Sequence, residues 1–202
     1  KEFNLKFPLE KFRGKYYLIA CDGSEFNIAR NPDAPDTFHE PNGKSVSGFN
    51  MVHTISLYEV CSKRYLDLEV QLGRLKNEFQ AICNLMDRYA YGGSPIFIAD
   101  RGFSSYNVFA HAIENNVDFL IRAKDLNVQR FLGAEALPDK LDTTIELILT
   151  RTQSKKKHKH PEKESQYRYI CKNIAFDYLN PADISDEYLL KLRIVRVEVS
   201  DG

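Results

Sequence analysis

Pro95-Ile96-Phe97-Ile98-Ala99-Asp100-Arg101-Gly102-Phe103 is the stretch whose reading decides the fold. Four apolar residues bounded by Ser94-Pro95 and Arg101-Gly102 read as a short, fully buried strand. That strand delivers one carboxylate, Asp100, to its carboxyl end, just before a glycine that lets the chain turn sharply. Tyr16-Tyr17-Leu18-Ile19-Ala20-Cys21-Asp22-Gly23 repeats the design. Ligands of open α/β sheets gather outside the carboxyl ends of strands, so two such acids are natural metal ligands. The competing reading is that each Asp only starts a turn before Gly.

Working outward, the 202 residues are enough for one domain with a proper core, with room for an insertion. At 43% hydrophobic and 28% charged residues the composition is globular rather than disordered. The formal net charge of +0 gives no whole-molecule argument for nucleic acid, so such binding has to come from local patches. Cys21, Cys61, Cys83 and Cys171 are scattered without a Cys-x-x-Cys pair, which argues against a zinc ribbon or disulfide framework and suits a reducing cytosol. The five histidines show no metal-site spacing. No apolar run approaches the roughly 18 residues of a membrane helix, so no membrane partner is expected, and the charged first ten residues do not read as a signal peptide. A start at Lys and an end at Asp201-Gly202 read as a piece of a longer protein.

Residues 16–22 read as the first, central strand. A long irregular loop rich in Pro, Asn, Asp and Gly is expected over 24–47; loops of that length are either functional or mobile surface. Residues 49–58 and 64–72 form an expected antiparallel pair joined by 59–63. His53, mid-strand, reads as a packed structural histidine in preference to a ligand. Leu75, Phe79, Ile82, Leu85, Met86 and Tyr89 predict an amphipathic helix over 75–91, ended by Gly92-Gly93. A second helix is expected over 104–116, capped by Ser104 or Ser105, and a further strand over 117–124. The order is three strands that pair as hairpins, then helix–strand–helix–strand, whose crossovers make the later strands parallel. Beyond Lys124, 127–132 predicts a helical turn, 143–150, 167–172 and 191–199 predict strands, and 181–190 a short helix capped by Ser185. The lysine-rich run 154–163 reads as an exposed, solvated hairpin tip, with a phosphate-contacting patch as the alternative.

If the two Asp-bearing strands are neighbours, Asp22 and Asp100 converge. Two ionised carboxylates repel unless a cation sits between them. Mg²⁺ prefers carboxylate oxygen and keeps waters that substrate phosphates can replace. Two such ions about 4 Å apart activate water and stabilise a leaving oxygen, which suits phosphodiester chemistry. A third carboxylate normally completes the site.

At this point the residues carry a resemblance that covers nearly the whole chain. Asp22-Gly23-Ser24 after its strand, Gly48-Phe49-Asn50-Met51-Val52-His53 with Leu57-Tyr58-Glu59, Asp100-Arg101-Gly102-Phe103, and the VDFLIRAK stretch from Val117 to Lys124 resemble, in order, the motifs of bacterial insertion-sequence DDE transposases. The subgroup resembled carries its third acid in a Tyr-Arg-Glu-Lys signature. The resemblance implies an α/β, ribonuclease-H-like mixed sheet with strand order 3-2-1-4-5, flanked by helices, with a β-rich insertion before the helix bearing the last acid. It divides the chain into a catalytic core at 1–125 and an insertion at 126–202. It also implies Asp22 and Asp100 as catalytic metal ligands for Mg²⁺ (or Mn²⁺). Double-stranded DNA, as transposon ends and target, is the implied partner, with a homodimer assembled on DNA and a cytoplasmic, nucleoid-associated location in a bacterium. None of the eleven tyrosines has Arg at the third position after it, so the last acid is expected beyond Gly202 and the fragment inactive alone.

Arg101, Arg122 and Lys124 are further candidates for phosphate contacts, with salt bridges at strand ends as the competing reading; Lys44 and residues 155–159 rank below them. Two rival functions stand beside the transposase. One is a decayed or domesticated transposase core serving as a DNA-binding or interaction module. The other is a metal-dependent phosphohydrolase of another α/β fold, disfavoured because Asp22-Gly23-Ser24 lacks the Asp-x-Asp phosphatase motif.

Overall fold

A computed structural model of the chain describes residues 6–43 and 45–197. The chain divides into two compact units, Lys1–Arg122 and Ala123–Gly202.

The first unit is a six-stranded mixed sheet with helices. Its strands are β1 (Tyr16–Ile28), β2 (Phe38–His39), β3 (Phe49–Glu59), β4 (Arg64–Leu72), β5 (Ser94–Ala99) and β6 (Asp118–Ile121). β1 pairs antiparallel with β3 on one side and parallel with β5 on the other, and β5 pairs parallel with β6. β4 and the two-residue β2 share the outer edge of β3, β2 opposite Phe49–Asn50 and β4 from Val52 onward.

β1 is longer than its sequence predicts, and the expected 24–47 loop is correspondingly shorter. β3 offers β1 an unbroken ladder from Asn50 to Glu59, so Asp22 to Ile28 stay paired instead of turning at Gly23. The hairpin 49–59/64–72 forms as predicted, with a bulge at Leu57/Tyr58. Glu59, fully buried, accepts hydrogen bonds from the backbone N–H of Cys61 and Ser62 and thereby ties the turn between its strands.

Helix α1 (Glu78–Asp87) is shorter than the predicted 75–91. Gln71 holds the backbone N–H and C=O of Asn77, and the Asn77 side chain caps Gln80 N, so the helix starts there and Leu75 is left exposed. Helix α2 (Tyr106–Glu114) uses Ser105 as its cap, accepting from Val108 N. Both helices cover the same face of the sheet, where Ile19, Cys21, Ile55, Leu57, Phe97 and Ala99 meet Ile82, Leu85, Met86, Val108 and Ala112. Successive parallel strands progress in one direction, so right-handed crossovers place both helices on one side.

On the other face, among the described residues, the two outer strands β4 and β6 carry exposed apolar side chains. On β4 the residues turned toward α1 are polar: Asp67 and Glu69 bind Arg88, and Gln71 binds Asn77. The alternate residues Tyr65, Leu68, Val70 and Leu72 are 66%, 49%, 58% and 43% exposed, as is Leu120 at 63% on β6. The edge strand therefore turns its apolar residues away from its own helix.

The second unit contains helix α3 (Asp125–Leu132) and a three-stranded sheet ordered β8-β7-β9, with β7 (Leu141–Thr150), β8 (Tyr167–Tyr169) and β9 (Glu187–Arg196). The helix predicted over 181–190 is absent. Asp183 accepts from Ser185 N and Oγ, and Asp186 from Asn180 N, which makes turns of 180–186 and lets β9 begin at Glu187 opposite Thr150. β8 is shorter than the predicted 167–172. Val199, expected at the end of the last strand, lies outside the described residues, as does Lys44.

The lysine run is not a loose hairpin tip. Lys155–Lys157 is a single 3-10 turn and Pro161–Gln166 two 3-10 turns kinked at Lys163, and the His158 side chain between them is 5% exposed and stacked on Tyr167 with ring centroids 3.8 Å apart.

Candidate active site

The β1–β5 ladder stops at Cys21–Ala99, while the β1–β3 ladder runs on with Asp22 opposite Ser56. Asp22 is therefore interior to β1, not at its carboxyl end as the sequence predicted, but it stands level with the point where β5 ends. Asp100, the next residue of β5, keeps extended backbone (φ −77°, ψ 178°) and caps the 3-10 turn Arg101–Phe103. Side chains alternate along extended backbone. Cys21 and Ala99 face the helices, so Asp22 and Asp100 both emerge on the opposite face, and both are exposed. Adjacent strands lie about 4.8 Å apart, and the two acids directly follow the paired residues Cys21 and Ala99.

Each carboxylate has one oxygen engaged by its own neighbourhood. Gly23 N donates to Asp22 Oδ1 at 2.8 Å, and Gly102 N to Asp100 Oδ1 at 2.7 Å. The turn reading therefore holds for Asp100, which caps, and fails for Asp22, whose strand continues through Gly23. Among the described residues neither acid forms an ion pair. Beneath them, burial pushes the Cys21 thiol far above its ordinary pKa, with the Asp22 charge adding to the effect, so this cysteine stays a protonated core residue.

Arg101 follows Asp100 directly and is exposed. Arg122 follows β6, and its backbone N–H donates to Ala99 O at 3.3 Å, which brings it to the same end of the sheet. Lys124 belongs to the second unit and starts α3. Among the described residues none of the three forms an ion pair, so salt bridging at strand ends does not account for them.

Behind Asp22 lies His53, the packed structural histidine expected from sequence, in a contact with Gly23 that the sequence did not reveal. A Cβ on Gly23 would stand 3.0 Å from His53 Cε1 and 3.1 Å from Ile55 Cδ1, so the His53 ring fills the space a side chain would take. His53 is 2% exposed, with Nε2 3.2 Å from Glu78 Oε1. Lys76 joins the group, 2.7 Å from Glu25 and 3.9 Å from Glu78. Its hydrogen bond holds the Glu25 carboxyl below the usual range, and Glu25 in turn raises Lys76. The available sequence signal was Gly23 itself, followed by Glu25 on the same face.

The donor set fits a hard divalent cation in part. Two carboxylates on one face, each with a free oxygen and no competing cationic side chain, suit Mg²⁺, which is commonly held by one or two carboxylates plus substrate phosphates. Among the described residues no group of three or more His, Cys, Asp and Glu side chains is arranged to hold a metal.

A family model described as the transposase DDE domain matches residues 13–191. The chain belongs to the transposase DDE domain family. No curated protein matches it. Membership makes DNA the substrate class and divalent metal the usual helper of this transposase domain. Among the described residues, no helix is long and apolar enough to cross a membrane.

Proposed function

We propose that the chain is the catalytic core of an insertion-sequence transposase, with a ribonuclease-H-like sheet in which Asp22 and Asp100 hold Mg²⁺ or Mn²⁺ for phosphodiester hydrolysis and strand transfer at transposon ends. One observation carries this: the parallel ladder ends at Cys21–Ala99, which leaves both acids next to each other, on one face, without an internal cation. Counted without β2, the pairing β4-β3-β1-β5-β6 reads 3-2-1-4-5, in keeping with that fold.

A divalent cation at this site would lower the pKa of a bound water and stabilise the departing oxygen. Asp22 and Asp100 hold and orient, each with one oxygen fixed by a backbone N–H and the other turned outward. Arg101 and Arg122, at the same strand ends, meet the phosphates flanking the scissile bond. In this reading the second unit is the β-rich insertion, and the third carboxylate follows it in the parent polypeptide within a Tyr-Arg-Glu-Lys helix. The exposed Tyr65, Leu68, Val70 and Leu72 of β4 support a further layer on their face of the sheet, since a contiguous exposed apolar patch marks an interaction surface. The active form is a homodimer on DNA.

The test is nicking of duplex DNA carrying the element's ends by the parent polypeptide in Mg²⁺ or Mn²⁺. Asp22→Ala and Asp100→Ala should each abolish it while leaving DNA binding in place. Retained nicking in either variant contradicts the assignment.

A further inference from the structure

We propose that the lysine-rich knuckle of the second unit is a preformed contact for the phosphates of duplex DNA; this rests on the reading that the protein acts on DNA. Residues 155–164 hold five lysines against two glutamates in a chain of zero formal net charge. Such a run is ordinarily solvated and mobile, because ordering like charges together is unfavourable. Here it is pinned from inside. His158 Nδ1 lies 3.0 Å from Glu164 Oε2, and the carboxylate as acceptor places the proton on Nδ1. The His158 ring stacks on Tyr167 of β8. Glu187, the first residue of β9, accepts from Lys159 N and from Tyr167 Oη, both at 2.9 Å, and His160 N donates to Tyr167 Oη at 3.0 Å. The knuckle is thereby fixed to the end of the β8-β7-β9 sheet through its backbone and its histidine, leaving Lys155, Lys156, Lys157 and Lys159 exposed.

The nearby acids are turned to that internal work. Glu164 pairs with His158 and with Lys155 at 3.1 Å, and Glu162 with His160 at 3.5 Å. Asp183 feels Lys159 only at longer range. Lys156 and Lys157 form no ion pair among the described residues. A 3-10 turn spaces successive side chains by a third of a turn, so with Lys155 drawn to Glu164 the next two project to other sides. Ordering paid in advance by Tyr167, Glu164 and Glu187 lowers the entropy lost on contact. A repeating polyanion is the partner that relieves the crowded charge, and each phosphate neutralised releases counterions. The flanking Gln153, Ser154, Ser165 and Gln166 offer no apolar face for insertion into a membrane.

The experiment is duplex binding by the full chain across a salt series, with a random-sequence duplex and with EDTA present, so that Asp22 and Asp100 play no part. Lys156→Gln/Lys157→Gln/Lys159→Gln should reduce the slope of log affinity against log salt by about 2 to 3. An equal removal of exposed charge at Lys140, Lys172 and Lys191 should leave the slope unchanged. His158→Ala should weaken binding several-fold with the slope retained, because it loosens the knuckle and leaves every lysine in place. An unchanged slope in the lysine variant, an equal loss in the control variant, or full affinity in His158→Ala overturns the inference while leaving the transposase reading intact. Absence of any duplex binding by the unaltered chain, or lysine-dependent binding to anionic vesicles instead, overturns both.

Discussion

Glu59 is a buried carboxylate with a structural task. It lies opposite Ile19, three residues along β1 from the level of Asp22, and on the face covered by helices. Its oxygens accept from Cys61 N at 3.2 Å and Ser62 N at 2.6 Å. Glu59→Ala leaves two turn donors without their partner and should destabilise the chain by about 1–3 kcal/mol, read by urea unfolding; a change below about 0.5 kcal/mol contradicts this role. Glu164 gives a prediction in pH. The His158 hydrogen bond, and after it Lys155, hold its carboxyl below the usual range. A lowered folded pKa contributes stability above the unfolded value near 4 and loses it as pH falls through the folded one. The knuckle should therefore persist at neutral pH and loosen only in acid below the ordinary glutamate range. A carbon-detected titration of Glu164 with a midpoint at or above the ordinary value would contradict this. At this scale the sequence exposed the acids and hid their surroundings: Asp100 before Gly is visible as a motif, whereas the His53 ring filling the space at Gly23 is a contact across thirty positions.

Elements were legible where their signals were local. Ser105 before an apolar stripe placed α2, and alternation placed both strands of the β3–β4 hairpin. β1 was cut short because Gly23 and the Asn- and Pro-containing segment after it imitate a turn, while the deciding partner, β3, lies some thirty residues away. α1 was drawn too long because Leu75 continues the helical spacing, yet Gln71 fixes Asn77 as the starting point. Ser185 looked like a helix cap but bonds to Asp183 in a turn. The α1–β4 contact makes a prediction of its own. Arg88 donates to Asp67, Glu69 and Leu68 O at 2.9, 2.8 and 3.0 Å. Because its side chain is 37% exposed, solvent screens part of the pairing. Arg88→Ala should cost about 1–2 kcal/mol, and a double-mutant cycle with Glu69→Ala should show positive coupling. Additive losses would mean that the helix is held by packing alone.

At the scale of the first unit, one face of the sheet is built by α1 and α2, and on the other, among the described residues, the outer strands β4 and β6 expose apolar side chains. That asymmetry bears on the longer polypeptide proposed above. In the 202-residue chain, Leu68→Thr and Val70→Thr should each change stability by less than about 0.5 kcal/mol, as expected of exposed positions. Under the proposed reading, in a longer polypeptide whose third-acid helix covers that face, each should cost roughly 1–3 kcal/mol. Equal small effects in both would remove the case for a further layer. The mixed sheet could be read from sequence because hairpin-forming strands precede strands separated by helices, whose crossovers make them parallel. The folded lysine knuckle could not, because its order comes from Tyr167 and Glu187, outside the run.

The central claim is that Asp22 and Asp100 share one divalent cation, and paramagnetic broadening by Mn²⁺ in backbone NMR spectra tests it most directly. The account predicts that the amides of residues 21–23 and 99–102 broaden together at the lowest Mn²⁺ added, and that Asp22→Ala or Asp100→Ala removes the effect from both stretches at once. Broadening confined to one stretch, or centred first on Glu25 and Glu78, would contradict it.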